Sequence, residues 1–432
     1  MADVQSFAAV HYNPDKLGHD VSSLIAPPYD VLGPADKQRL LAGDARNVVA
    51  VDLPVAPPAQ AGPPAAYDQA AATLNRWLSD GVMRCDDRPA VYACHQVFRH
   101  NGREHCRRMF FARVRIEPLG AGEVFAHEQT FGGPKADRLA LTRATRCQVS
   151  PVLGLYPDEA HEVVEALGPL SRPPDLHGTI GEVDSRLWVV DDPAAVGRVV
   201  ERMRGRAVYI ADGHHRYATA AMYRDELAAR EGPLPATHPA NFVMMALCGM
   251  DDPGLVILPY FRVVVGAGRL DTLSLGGAVS PRYSFRFAHE VTEPSELLAM
   301  LPEAGAGAGA VGVYSGVLDG YVILIPRQPD VLADLEPDKP EAWRTLSYSA
   351  IQRFMIDEAL ATLMNAVPEV QYFTRADDAV AAARQTEGLA FLPQAVTMPQ
   401  LRAICGTGEL MPHKSTCFYP KVATGLVIDP LT

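Results

Sequence analysis

The stretch VYIADGHHRYATAAMYRDEL, residues 208–227, constrains this chain more than any other. A run of apolar, strand-favouring residues ends in Asp212-Gly213-His214-His215-Arg216, and a helix-forming sequence follows with no spacer. A strand delivered straight into a helix is a building unit of α/β layers. The alternation continues on both sides. Before it come RLWVV (186–190) and a helical stretch near 195–204; after it a helix from about Arg216 to Arg230 stops at Gly232, and NFVMMALCGM and LVILPYFRVVV follow. This order predicts an α/β layer with some parallel pairing.

Upstream, AVYACHQVF (90–98) and REHCRRMFFARVRI (103–116) meet at Asn101-Gly102, a strong hairpin signal that predicts an antiparallel element. Tyr67–Asp80 predicts a helix with Leu74, Trp77 and Leu78 on one face and a stop at Gly81, preceded by a proline-rich loop at 54–64. The polar segment Gly120 to Arg146 has no clear period and is expected to be a site-forming loop. Residues 266–345 are expected to be a strand-containing insertion, followed by helices near 347–365 and 376–386 and a strand at 388–392. With 432 residues, two or three domains are expected at roughly 150 residues each. The expected division is 1–265, an α/β core with N-terminal elaboration, and 266–432, an insertion and a C-terminal α/β segment returning to the site. The fold class is α/β with α+β elements.

A net charge of −12 argues against nucleic acid or an anionic membrane as a partner for the whole surface. Seven cysteines without a C-x-x-C suggest reduced thiols and no zinc knuckle. The N-terminal residues lack a signal-peptide pattern, so a cytoplasmic location is expected, with the oligomeric state left open.

Four segments could carry chemistry. At Asp212 to Arg216, a strand end, a glycine and a helix start would bind an anion, with Arg216 and His215 donating and Asp212 holding a metal or orienting a histidine. The alternative is that Asp212 merely caps the helix. In AHEQTFGGPKADR, His127 and Glu128 offer a base, while Gly132-Gly133 with Lys135 and Arg138 offers a phosphate loop that is not a Walker A sequence. Near the end, Lys414, Ser415, Thr416 and Lys421 suit a nucleotide or phosphorylated substrate. In APPYDV (26–31), a proline-locked turn presents Tyr29 and Asp30 for substrate, though a purely structural turn is the favoured reading.

These segments in this order, PPYDV, HEQT with GPKADR, ADGHHRYATA and MPHKSTCFYPK, resemble the prokaryotic proteins catalogued as domain of unknown function 1015, over almost the whole chain. That family looks like a distant relative of the ParB and sulfiredoxin superfamily, whose small-molecule members include a free serine kinase. The resemblance implies a small α/β core carrying the DGHHR loop. It also implies ATP or ADP with Mg²⁺ as cofactors, with Asp212, His215 and Arg216 handling phosphate and metal; Gly213 and His214 are further cofactor-binding candidates. Glu128 is the base chosen from the residues themselves. Two departures stand out: Tyr260-Phe261 precedes Arg262 where the family tends to show Thr-His, and His413 replaces a usual Gln.

The leading expectation is a nucleotide-dependent phosphotransferase acting on a small hydroxylated metabolite, with serine the first candidate. The alternatives are a ParB-like nucleotide sensor and a phosphatase or nucleotidase using the same groups. On the single-site expectation, Asp212→Asn and His215→Ala abolish turnover and leave melting nearly unchanged.

Overall fold

The computed structural model describes residues 3–58, 60–120, 122–130, 132–270, 272–305 and 309–432. The chain forms two units. The first comprises residues 1–126, 130–256 and 420–432, and the second residues 127–129 and 257–419.

A nine-stranded mixed sheet organises the first unit. Its strands are β1 (Val4–Gln5), β2 (Val91–His100), β3 (Arg103–Arg115), β4 (Val124–Phe125), β5 (Val152–Tyr156), β6 (Leu176–Ile180), β7 (Val183–Val190), β8 (Val208–Asp212) and β9 (Phe242–Gly249). The order is β4-β8-β5-β9-β3-β2-β7-β6, with β1 on β3. The expected parallel pairing occurs at β4/β8 and β5/β9 within an otherwise antiparallel sheet. β2 and β3 form the expected hairpin, its turn made by Asn101 and Gly102, both at positive φ (49° and 73°). Strand β9 is buried at every residue, as an unbroken apolar run in mid-sheet requires.

Four of its helices are α1 (Pro64–Ser79), α2 (Gly132–Thr145), α3 (Pro193–Met203) and α4 (His214–Glu231). Val199 and Met203 of α3 and Tyr217 and Ala220 of α4 pack into one core with Val208, Ile210, Met245 and Leu247 of the sheet. The α2 helix corrects one expectation, because much of the segment 120–146 is not loop. The buried face of α2 carries Asp137 and Arg138 as well as Leu139 and Leu141, so charged residues occupy positions where an apolar period would show. The glycine pair Gly132-Gly133 and Lys135, expected to form a phosphate loop, belong to this helix.

The second unit has its own six-stranded antiparallel sheet, made of β10 (Phe261–Val264), β11 (Tyr283–Phe287), β12 (Val311–Ser315), β13 (Gly320–Pro326), β14 (Val370–Phe373) and β15 (Leu389–Leu392). Residues 266–345 are therefore more than an insertion, since they supply β11, β12 and β13. Glycine hides their pattern: a Cβ at Gly316 would stand 1.9 Å from the Ala383 carbonyl oxygen, so close helix-to-sheet approach here demands a residue without a side chain. The helix expected near 347–365 runs as Ser347–Ser349, a wider π-helical stretch Ala350–Leu360 and Ala361–Met364.

Residues 420–432 are bound into the first unit. Val10 and Ile428 exchange two backbone hydrogen bonds at 2.9 Å, and Thr424 pairs with Ala26. Among the described residues, no helix is long and apolar enough to cross a membrane.

Candidate functional site

Strand β8 ends at Asp212, and Gly213 then turns the chain into α4 with a left-handed φ of +91°. The first amides of α4 have no acceptor inside the helix, which leaves positive potential at the junction. Asp212 sits between two cations: Lys421 donates to one carboxylate oxygen and Arg216 to the other. Burial alone would push the Asp212 carboxyl up, but Lys421 and then Arg216 hold it well below the usual carboxylate range. Arg216 also donates to the Pro151 carbonyl, while its buried Nε has no partner. His214 is buried in the first turn of α4 and also acts on Asp212, and His215 is half-buried beside it.

The Arg216 guanidinium folds back over Gly213, where an added Cβ would meet Nε at 2.8 Å. Gly213→Ala therefore combines positive-φ strain with a clash. The expected cost is about 1–3 kcal/mol of stability, read as a lower denaturant midpoint.

Arg138, expected to bind nucleotide, is committed elsewhere. Its Nη1 donates to the Asp52 carbonyl at 2.6 Å and to the Asp52 carboxylate at 3.1 Å, and its Nε and Nη2 donate to Asp137 at 2.8 and 2.6 Å. Its other face lies 4.0 Å from the Tyr29 ring. Asp137 also accepts from the Tyr67 hydroxyl at 2.7 Å. The guanidinium is thus a buried structural tie joining α2 to Asp52 and to the Tyr29 turn. Tyr29 itself is buried, its hydroxyl pushed up to about 12 by burial, so it is neutral and offers a ring face rather than an anion. Asp30 beside it is exposed. Lys135 donates to Thr130 Oγ1 at 3.3 Å. A cavity of about 40 Å³ lies among Asp52, Arg138, Ser150 and Arg216, room for a water or a small ion.

The remaining expected site residues form a second group inside the second unit. His127 Nε2 is 2.8 Å from Thr416 Oγ1, and Glu128 pairs with His413 at 3.2 Å. Ser415 donates to the Pro412 carbonyl at 2.6 Å, and Lys414, at φ +57°, places its Nζ 5.3 Å from the Tyr260 ring. One expected site is thus distributed over two clusters, each built within its own unit.

Sequence reasoning missed Asp52, Gln96 and Arg107. Asp52 sits in an apolar stretch with no motif around it. Gln96 and Arg107 face each other across the hairpin, and together they hold the segment that carries Lys421: Arg107 Nη2 donates to the Pro420 carbonyl at 2.6 Å and Gln96 Nε2 to the Lys421 carbonyl at 3.2 Å. A polar pair inside apolar strands was the available signal.

No curated protein matches the chain. Among solved structures, an AMP complex of a free serine kinase variant is 12% identical with a TM-score of 0.34, covering 70% of this chain and 89% of its own. A C-terminally truncated SbnI from Staphylococcus aureus is 11% identical with a TM-score of 0.36, covering 74% and 87%. A conserved hypothetical protein from Pyrococcus furiosus is 13% identical with a TM-score of 0.33, covering 71% and 92%. At these scores the likenesses carry no argument about the chemistry. The sequence itself is decisive at the family level: the family described as Protein of unknown function (DUF1015) matches residues 4–337, and the chain belongs to it.

Proposed function

We propose that the first unit handles a nucleotide phosphate at the Asp212 junction, and that the protein is a nucleotide-dependent phosphotransferase acting on a small hydroxylated metabolite, with serine the first acceptor to test. The observation that carries this reading is the pair of cations, Arg216 and Lys421, gathered by one carboxylate at a glycine-opened helix start. An incoming phosphate offers the same cations a more highly charged partner, and the first-turn amides of α4 add donors. The junction is read here as the phosphate loop of a ParB/sulfiredoxin-type core.

This geometry redefines Asp212. Held well below the usual range, it is a poor proton acceptor, and its proposed role is to position Arg216 and Lys421. Nor does it fit a resident dication. Both of its oxygens are engaged by cations, and among the described residues no group of three or more His, Cys, Asp and Glu side chains is placed to hold a metal. No step is therefore routed through a protein-bound metal, and Mg²⁺ chelated by the nucleotide enters as part of the substrate. Transfer would gain from the positioning of Arg216, Lys421 and His215 against the developing charge. Glu128, expected as the base, lies in the second unit, paired with His413, so the proposed transfer is not routed through it.

Phosphorus NMR of the purified protein with ATP or ADP, Mg²⁺ and hydroxy amino acids tests the reading. A new phosphomonoester signal supports it. Inorganic phosphate alone would indicate a hydrolase, and an unchanged spectrum with nucleotide bound would indicate a sensor.

A further inference from the structure

We infer that the second unit holds an oxyanion site of its own, centred on Arg262 and Lys414, that takes the phosphate group of a small molecule. Arg262 lies on β10 and is 0% exposed. Its Nη2 donates to the His413 carbonyl at 2.9 Å, but its Nε and Nη1 have no hydrogen-bond partner. The Tyr348 and Tyr372 rings stand 4.9 and 5.7 Å from its guanidinium carbon. Asp357 acts on it through space, without an ion pair.

Stripping a guanidinium of water and supplying no anion costs several kcal/mol, and apolar residues of similar volume often serve stability as well or better. A fold with no use for the charge gains nothing by keeping arginine here. The neighbouring groups point to the missing partner. Lys414 adjoins the carbonyl that Arg262 holds and rests against Tyr260. Glu128, the carboxylate of this cluster, is paired with His413. The two cations therefore have no carboxylate committed to them among the described residues. Two cations, one of them planar with unused N–H groups, suit a phosphate dianion better than a monoanionic carboxylate. Because Arg262 is covered, the anion reaches it by displacing the His413–Lys414 turn and replacing the carbonyl bond with charge-assisted ones.

This site does not depend on the reading of the first unit. It is tested by titration calorimetry of the full chain with inorganic phosphate and, in a second arm, AMP. The proteins are wild type, Lys421→Ala, which disables the first-unit cluster, and Lys421→Ala combined with Arg262→Met or with Lys414→Gln. Lys421→Ala is expected to bind at least one of the two ligands, and adding Arg262→Met should weaken that binding at least about 10-fold. Binding of phosphate alone identifies a free anion, and binding of AMP identifies a nucleotide-borne one; both support the site. Arg262→Met should melt at or above its parent without ligand. Undiminished affinity on adding Arg262→Met overturns the proposal, as does failure of Lys421→Ala to bind either ligand. Should Arg262→Met not fold, undiminished affinity on adding Lys414→Gln overturns it equally. A wild type that binds phosphate through Arg262 yet forms no phosphomonoester would sink the kinase reading and leave this site standing.

Discussion

Asp212→Asn is expected to abolish the proposed phosphate transfer and, unlike a change confined to catalysis, to destabilise the first unit by about 3 kcal/mol at pH 7. The amide keeps the shape but removes the charge that neutralises Arg216 and Lys421, whose side chains are only 8% and 22% exposed. Two cations then face each other with little water to screen them. The figure sits at the low end for broken buried pairs because Lys421 is partly solvated. The expectation of unchanged melting, natural while Asp212 was taken for a metal ligand, gives way to this one. Tryptophan fluorescence during urea unfolding is a suitable measure, since Trp77 and Trp188 lie in the first unit and Trp343 in the second. The double variant Asp212→Asn/Lys421→Met should recover part of the loss, giving a coupling energy from the cycle. The pH dependence has a fixed sign. A carboxyl whose folded value is depressed contributes fully above its unfolded value near 4, and the contribution fades as pH falls below that. The gap between wild type and variant should hold from pH 7 to 5 and close below about pH 4. A gap that persists undiminished to pH 2 would refute the ion triad.

The second large effect is expected at Arg113→Met, far along the sheet from Asp212. Arg113 grips Asp429 through Nε at 3.0 Å and Nη2 at 2.6 Å, and donates to the Pro430 carbonyl at 2.7 Å. Asp429 is 0% exposed, so removing its partner strands a carboxylate in the interior, at a cost of about 3–5 kcal/mol. Even with Arg113 in place, burial pushes the Asp429 carboxyl up to about 6. A raised carboxyl costs stability as pH rises through that value, so the deficit of Arg113→Met should shrink on acidification from pH 7 to 5, a higher window than that of the Asp212 variant, whose gap holds over this range. Arg113→Met/Asp429→Asn should restore much of the loss. Phosphate binding is expected to fall in the single variant as well, because the segment anchored by Asp429 is the one that delivers Lys421. Unchanged phosphate affinity in a folded Arg113→Met protein would show that Lys421 needs no such anchor.

What could be read from the sequence was what is written locally. The Asn101-Gly102 hairpin, the helix before Gly81 and the strand–Gly213–helix junction each carry their signal within a few residues, and all three occur. Helix α2 was misjudged because Asp137 and Arg138 are buried as a pair, and burial by pairing leaves no apolar period. The candidate site was legible as residue types and not as a constellation. Asp212 and Lys421 are 209 residues apart, and Asp52 and Arg138 are 86 apart. No periodicity links such distances, and only the sheet order and the return of residues 420–432 bring them together. His127 and Glu128 share one candidate segment with Lys135 and Arg138 in the sequence, yet the former belong to the second unit and the latter to the first.

The return of residues 420–432 to the first unit also sets a clock. Synthesis at roughly 5–20 residues per second puts about 10–40 s between the appearance of Asp212 and that of Lys421. Over that interval β8 and α4 can assemble with Arg216 beside Asp212, but Lys421 is missing, and the nascent chain lacks the pair of cations on which the proposed nucleotide site rests. The phosphate handling proposed for the first unit therefore waits until Lys421 has been made.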